Sequence, residues 1–565
     1  MKKIMIALIG CMILSGCNED ILNLNNPSQF NENSYFKTQK ECQEVIAACY
    51  SVLTMRPFWG RDWYFMMDMI SGHAMGTANV AGDPDFINLE NLVHTPNNMW
   101  MDLTWRGFYR MSLRALVAVD KLTAWETKTA SEEAYKDQMI GEAWFFHGFA
   151  YYYLTELYGD VPYHPSWPSI KEEPVKARIP YDEVQSKIEE ALNIALEKVP
   201  ESWEDRFLGR ITKDAARAML GKLFLTQGNY DKAILAFESI KASSYHPNYE
   251  KLFDVGNHKS PEVILQVLHK FWGWDKGNSY YVFDGKEKWG DKATNCARQM
   301  EYGWNDWNNV SIPNNAANKF KYTLNGSDYI DPRNQFIIYG DGEIGADRWY
   351  GFHYREEDSK IFPAPSPDKV GELVEYFDED GKLIDVGTKY PYKPYVPYDP
   401  DNLDDKEKND ASSTSGYKWK KYCLYETYEN MDIGYGEFSS VLIRLADVKL
   451  MLAEAYMGKG NYEKAKSLIN EVRTRDAVKA VAYNDLNASN AMEILHRERF
   501  IELYGELHYW FDLIRWDRLG KVDMIEELKK LKGITRNIDA KYKKFAIPTQ
   551  EKDTNPLMVV KDNWN

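Results

Sequence analysis

Past residue 16 the chain has no apolar run long enough to cross a bilayer, so nothing in its body reads as a membrane span. Cysteine is sparse, with 6 in 565 residues. None is arranged as C-x-x-C, and none of the 10 histidines falls in H-E-x-x-H, which removes the usual sequence grounds for zinc. Cys42 and Cys49 sit on one expected helix, about 10.5 Å apart along its axis, too far for a disulfide. Positive charge is outweighed: 69 Lys and Arg face 85 Asp and Glu, a formal net charge of -16. With no basic stripe, that balance argues against nucleic acid and against electrostatic adhesion to an anionic bilayer.

What is present begins with a leader. Met1-Lys-Lys is followed by an apolar Ile4–Leu14 and then Leu14-Ser-Gly-Cys17. The apolar stretch is too short to span a bilayer and suits a secretory signal. Small residues before a Cys resemble the lipobox of bacterial lipoproteins. That implies removal of residues 1–16, acylation of Cys17 and anchoring through outer-membrane lipid. Asn18-Glu-Asp resembles the surface-export signal of Bacteroidetes lipoproteins, which implies the outer face of the outer membrane. Residues 17–35 are Asn-rich and polar, a tether to the fold.

The body is mainly helical in pattern. Val45, Ile46, Cys49, Val52 and Leu53 recur at helical spacing and predict a helix over 38–53. Residues 56–104 mix Trp59, Trp63, Tyr64, Phe86 and Trp100 with Gly, Pro and Asn, and predict a long functional loop region. A helix from Trp105 to Leu122 follows. The run from Gly141 to Tyr158 is apolar nearly all round and predicts a buried helix, stopped by Gly159. His147 within it reads as a packed, hydrogen-bonded core residue.

Two copies of one pattern lie far apart. Leu220-Gly221-x-x-Phe224-x-x-x-Gly228-Asn-Tyr-Asp-Lys-Ala233-x-x-x-Phe237 is matched position by position by Leu452-Ala453-x-x-Tyr456-x-x-x-Gly460-Asn-Tyr-Glu-Lys-Ala465-x-x-x-Ile469. The spacing is that of tetratricopeptide helix–turn–helix units, with a small residue for close approach and Gly-Asn-Tyr for the turn. Near the end, Phe500, Leu503, Tyr504, Leu507, Phe511 and Ile514 form an apolar stripe interrupted by Gly505. That predicts two short helices meeting at the glycine, a core hub with the neighbouring Arg497, Glu498, Arg499, Glu502 and Glu506 paired on the helix surface.

This last stretch resembles the SusD/RagB family of outer-membrane lipoproteins. Arg499, Glu502, Leu503, Gly505, Trp510, Phe511, Asp512, Leu513, Arg515 and Trp516 carry the likeness. Glu506 after the glycine, and His508 in place of a basic residue, depart from the family pattern. The segment from Gly141 to Tyr163, with its Tyr158-Gly-Asp-Val-Pro close, is similar to a second family element. Asn25-Asn-Pro, Asp331-Pro-Arg333 and Phe545-Ala-Ile-Pro with Asn555-Pro556 are similar to others. The resemblance implies a mainly α, tetratricopeptide-like scaffold with an N-terminal region over 36–269 and a C-terminal region over 270–565. Between the copies, 270–440 reads as a loop-rich, ligand-binding insertion with short β-hairpins, one of them Glu375–Ile384 around Asp380-Gly381.

Two motifs mislead. Gly340-Asp-Gly-Glu-Ile-Gly345 satisfies G-x-G-x-x-G, but no obvious helix follows, and Asp341 and Glu343 would repel phosphate. Asp399, Asp401, Asp404, Asp405, Glu407 and Asp410 lack EF-hand spacing. They read as a solvated loop, with a structural Ca²⁺ the alternative, and no cofactor is expected otherwise.

The family resemblance implies a non-catalytic surface protein that captures oligo- or polysaccharide and delivers it to a SusC-like TonB-dependent transporter. The alternatives are capture of peptides or other nutrients, and a surface glycoside hydrolase. A shallow sugar site needs exposed rings beside polar side chains. Trp272 and Trp274 stand at i and i+2, facing one side of an extended segment about 6–7 Å apart. Trp304 and Trp307 alternate with amides. Trp63, Phe86 and Asn79 add candidates from the 56–104 region, from which SusD-like proteins also contribute to their site.

Overall fold

The helices begin and end where local chemistry dictates. Helix α1 (Gln39–Leu53) opens with a capping box in which Thr38 accepts from Glu41 N and the Glu41 carboxylate accepts from Thr38 N. Buried Cys42, Val45, Ile46, Cys49, Val52 and Leu53 form its inner stripe, and both cysteines are free. The computed structural model describes residues 36–77, 80, 83–253, 258–269, 296, 298–302, 309–339, 417–422, 439–559 and 564, and the backbone of 373–377 and 383–389.

Residues 56–104 depart from expectation. They carry helices α2 (Asp62–Ser71) and α3 (Pro84–Glu90), the short strand β1 (Met75–Gly76), and the start of α4 (Met99–Ala124). Every residue of α2 is buried. A helix apolar on all sides leaves no stripe in the sequence, so it reads as irregular. Helix α4 starts six residues before Trp105 because Asn98 caps it, its side chain accepting from Met101 N at 3.2 Å.

Helix α5 (Ala130–Tyr158) is buried almost continuously from Met139 and ends at Gly159, whose φ of +79° suits glycine. His147 is 1% exposed within it, with Nδ1 2.9 Å from Ser112 Oγ and Nε2 3.2 Å from Tyr163 Oη. Strands β2 (Val161–Pro162) and β3 (Arg178–Ile179) pair before α6 (Tyr181–Lys198). Helix α4 packs on α5, α5 on α6, and α6 on α7 (Lys213–Thr226).

The two sequence copies are two helical hairpins. In the first, α7 turns at Gly228 (φ +71°) into α8 (Tyr230–Glu238), capped by Asn229. In the second, α10 (Leu445–Gly458) turns at Gly460 (φ +74°) into α11 (Tyr462–Thr474), capped by Asn461; the intervening α9 is Arg298–Tyr302. A Cβ on Gly221 would stand 2.4 Å from the Phe237 ring, so glycine sets the closeness of the first pair. The hairpins then pack on each other: a Cβ on Gly458 would meet the Tyr230 ring at 2.5 Å, and Lys459 Nζ lies 2.9 Å from Asp231. The result is a mainly α, tetratricopeptide-like stack that buries a shared core.

Strand β4 (Val263–Leu268) closes the chain across the long insertion. It pairs antiparallel with β12 (Ser439–Arg444), from Ser439↔Leu268 to Arg444↔Val263, and so sets the second hairpin beside the first. Within the insertion, β5 (Val310–Ser311) pairs with β1, and β6 (Lys321–Leu324) with β7 (Ser327–Ile330). Strand β8 (Ile338–Tyr339) pairs with β11 (Lys418–Trp419), and β9 (Leu373–Phe377) with β10 (Leu383–Lys389), which is the expected hairpin. The G-x-G-x-x-G motif at 340–345 and the acidic run at 399–410 lie outside the described residues.

Candidate functional site

The insertion is fastened to a buried ionic hub. Helix α12 (Ala491–Glu502) ends before Gly505, and α13 (Tyr509–Arg518) starts after it, so two helices do meet there. Arg333 Nη2 lies 2.7 Å from Asp331 and 3.0 Å from Glu498, and its Nη1 3.0 Å from Glu502. Arg444 reaches Glu262, Glu502 and Glu506, each at 2.7 Å. Lys421 Nζ lies 2.6 Å from Glu506, Arg475 2.6 Å from Glu502, and Arg473 pairs with Glu498. Five cations thus meet five carboxylates. The charged residues near Gly505 were expected to pair along a helix surface; Glu498, Glu502 and Glu506 instead pair inward across the fold. Only Arg497, with Glu493 four residues before it, keeps the surface pattern.

Charge survives burial here because each ion is answered. Burial works to raise the Glu502 carboxyl, but Arg475, Arg444 and Arg333 outweigh it and hold it below the usual carboxylate range. Burial likewise opposes, and Arg444 and Lys421 overcome, in lowering Glu506. Lys421 is pushed down to about 8 by burial, against the pull of Glu506.

Gly505 joins the hub to the insertion. Its φ is +72°, and a Cβ would stand 2.7 Å from the Trp419 ring. Its carbonyl accepts from Tyr422 Oη at 3.1 Å and from Arg298. Arg298 also lies 3.1 Å from Asp68 of α2, and Tyr302 Oη donates to the same carboxylate.

The segments bearing the predicted ligand residues are rooted around these contacts. Thr77 N donates to Asn309 O at 3.0 Å, next to the β1–β5 pair, and Asn309 N donates to Glu301 O at 2.9 Å. Arg61 pairs with Glu301 and braces the same root. Asn79 follows Thr77 by two positions, and Trp307 precedes Asn309 by two. Trp304 follows Tyr302. The stretch carrying Trp272 and Trp274 leaves at His269 and returns at Cys296; His269 Nε2 is 3.0 Å from Ser440 Oγ, and the Cys296 thiol faces the same serine. Trp272, Trp274, Trp304, Trp307 and Asn79 themselves lie outside the described residues, as does Cys17.

Trp63 and Phe86 are corrected. Both are 1% exposed and neither offers a face to a sugar. Trp63 packs edge-on to Phe108 at 5.3 Å and Tyr153 at 5.5 Å; Phe86 stacks on Trp100 at 4.3 Å. They belong to the aromatic core because α2 is buried throughout and α3 buries Phe86 and Leu89. Sequence reasoning missed Arg61 and Glu301, single charged residues with no spacing to mark them.

A family model described as "SusD family" matches residues 274–564, and one described as "Starch-binding associating with outer membrane" matches 20–225. SusD-like protein P25 of Formosa agariphila is 22% identical over 551 residues, covering 94% of this chain and 93% of its own. A SusD-like carbohydrate binding protein from Bacteroides fragilis superposes with a TM-score of 0.68 at 17% identity, covering 93% of this chain and 99% of that one. Surface glycan-binding protein A from Bacteroides thetaiotaomicron, solved with laminarihexaose, superposes at 0.61 and 16% identity, covering 91% and 97%.

Proposed function

The chain belongs to the SusD family, and from that footing we propose that it captures an oligo- or polysaccharide at the cell surface and passes it, uncleaved, to a SusC-like TonB-dependent transporter. The reading rests on one observation: the roots of three Trp- and Asn-bearing segments are tied together by the β1–β5 pair, the Ser440 contacts and the Gly505 turn. A rigid base under irregular segments is how folds present ligand residues. The relative solved with laminarihexaose makes glucan the first ligand class to test.

A hydrolytic role fits less well. A glycosidase needs a carboxylic acid whose pKa is raised so that it can protonate the leaving oxygen. The hub carboxyls Glu502, Glu506 and Asp331 are held low by arginine and lysine and are enclosed, while Glu90 and Glu142, which burial raises, have Lys532 and Arg210 beside them and lie outside the hub.

The test is calorimetry against a panel of oligosaccharides that includes laminarihexaose, with a peptide mixture alongside. Alanine at Trp272, Trp274, Trp304 or Trp307 should each weaken glycan binding by about 1–3 kcal/mol if the ring stacks on a sugar as rings stack on bases. Thermal midpoints should stay put. If all four variants keep full affinity, or lose it only by unfolding, the site lies elsewhere; binding confined to peptides would overturn the glycan reading.

A further inference from the structure

A concave site is lined by none of the residues that root the Trp- and Asn-bearing segments. It is a cleft of about 630 Å³ between the C-terminal end of α5, strand β3 and the chain's last turns, with Trp564 in its wall. That volume falls within the range of small-ligand pockets, about 300–1,000 Å³. Among the described residues its lining is basic in an acidic protein: Arg178, Lys541, Lys543 and Lys544 against one carboxylate, Asp160.

The cations differ in what answers them. Lys543 Nζ is 2.7 Å from Asp517 and is neutralised. Among the described residues Arg178 donates only to backbone, to Asp160 O at 2.8 Å and Val559 O at 3.3 Å. Lys544 is exposed, its Nζ set over Gly159, where an added Cβ would lie 2.9 Å away. Among the described residues no carboxylate pairs with Arg178 or Lys544. Asp160 Oδ1 accepts from Tyr181 N at 2.9 Å. Lys541 Nζ stands 4.9 Å over the Trp564 ring, and Leu557 and Val559, 50% and 64% exposed, add apolar surface. The net negative charge of the rest of the molecule is screened beyond roughly 8 Å at physiological salt, so within the cleft the local cations set the potential.

We propose that this cleft binds the sulfate or carboxylate group of an acidic oligosaccharide, with Arg178 and Lys544 as the anion's partners. Guanidinium and ammonium donors form strong charge-assisted bonds to such oxyanions, and the exposed apolar side chains can take a sugar's C–H face. A lipid phosphate has the same oxygen chemistry but the wrong place. Gln43 near the start of α1 bonds Tyr135 at one end of α5, while Tyr158 at the other end lines the cleft, about 35 Å further along the helix. The described chain therefore begins at the end of α5 opposite the cleft. The proposal rests on the glycan reading for its sugar, but the anion site does not depend on it.

The experiment titrates the full chain with a sulfated oligosaccharide, its desulfated counterpart, inorganic sulfate alone, and phosphatidylglycerol vesicles. The sulfated sugar should bind at least about tenfold more tightly than the desulfated one, the scale of a charge-assisted hydrogen bond. Lys544→Glu and Arg178→Gln should each close that gap without lowering the thermal midpoint, and Lys544→Glu should abolish the response to inorganic sulfate. If Arg178→Gln fails to fold, the exposed Lys544 decides. A gap that persists in Lys544→Glu, or no gap in the unsubstituted chain, overturns the proposal. Lys544-dependent binding to vesicles without a sugar gap overturns it in favour of the membrane. If neither sugar binds but sulfate does, and Lys544→Glu removes it, the anion site stands and the glycan reading falls.

Discussion

Individual buried residues set how the protein answers acid. His94 and His147 are pushed down to about 3 and His496 to about 4, each chiefly by burial. Their unfolded pKa is about 6.5, so between roughly 6.5 and 4 the unfolded chain binds more protons than the folded one. Stability is complete above that window and falls as pH drops through it, by about 1.4 kcal/mol per unit for each such histidine. The hub carboxylates act lower: their pKa values are depressed, so their contribution is present above about 4 and is lost as pH falls below it. Thermal midpoints should therefore decline in two stages on acidification. His147→Gln should flatten the first, and an unchanged slope would show that His147 is not buried neutral. Glu502 is fully buried against three arginines. Glu502→Gln should cost about 3–5 kcal/mol at neutral pH by chemical denaturation, because cations are left buried without their counter-charge. A loss below about 1 kcal/mol, as for an exposed pair, would mean the hub is not what fastens the insertion.

At the scale of elements, the two hairpins show one motif with two tolerances. Both turn on a left-handed glycine followed by a capping asparagine, which is why Gly-Asn-Tyr recurs. They differ at the contact between helices. Ala453 carries a Cβ in the second hairpin, whereas Gly221 in the first has Phe237 pressed against it. Gly221→Ala should cost about 1–3 kcal/mol through overpacking despite alanine's better helix propensity. Urea titration reads this directly, and a stabilised Gly221→Ala would show that Phe237 can swing away. The turn at Gly505 is built on the same conformational freedom but bears on function, since it receives Trp419, Tyr422 and Arg298 from the insertion.

For the molecule as a whole, charge and anchoring are coupled. The full sequence carries -16, a charge that anionic lipid repels, so we propose that attachment comes from acyl chains on Cys17, two or more of which hold effectively stably. Cys17→Ala should release the protein into the soluble fraction, and protease added to intact cells should shave the acylated form; full protection in intact cells would place it on the inner side. Mild detergent extraction should bring a TonB-dependent β-barrel with it, and recovery of the chain alone under several such detergents would count against the transporter partner.

Sequence alone determined the helical scaffold, because period and punctuation are local. The α1 stripe, the apolar α5, the repeated Gly-Asn-Tyr turns and the break at Gly505 each follow from residues a few positions apart, and His147 could be read as core from its neighbours. Tertiary structure decided which rings are buried and which charges meet. Trp63 lies on a helix buried all round, and Phe86 on a two-turn helix that buries only Phe86 and Leu89, too short to show a period, so neither stood apart from loop aromatics. The hub unites Glu262, Arg333, Arg444 and Glu502, and the basic cleft unites Arg178 with Lys544. Those residues lie hundreds of positions apart in some cases, and a single charge carries no mark of the partner that folding will bring to it.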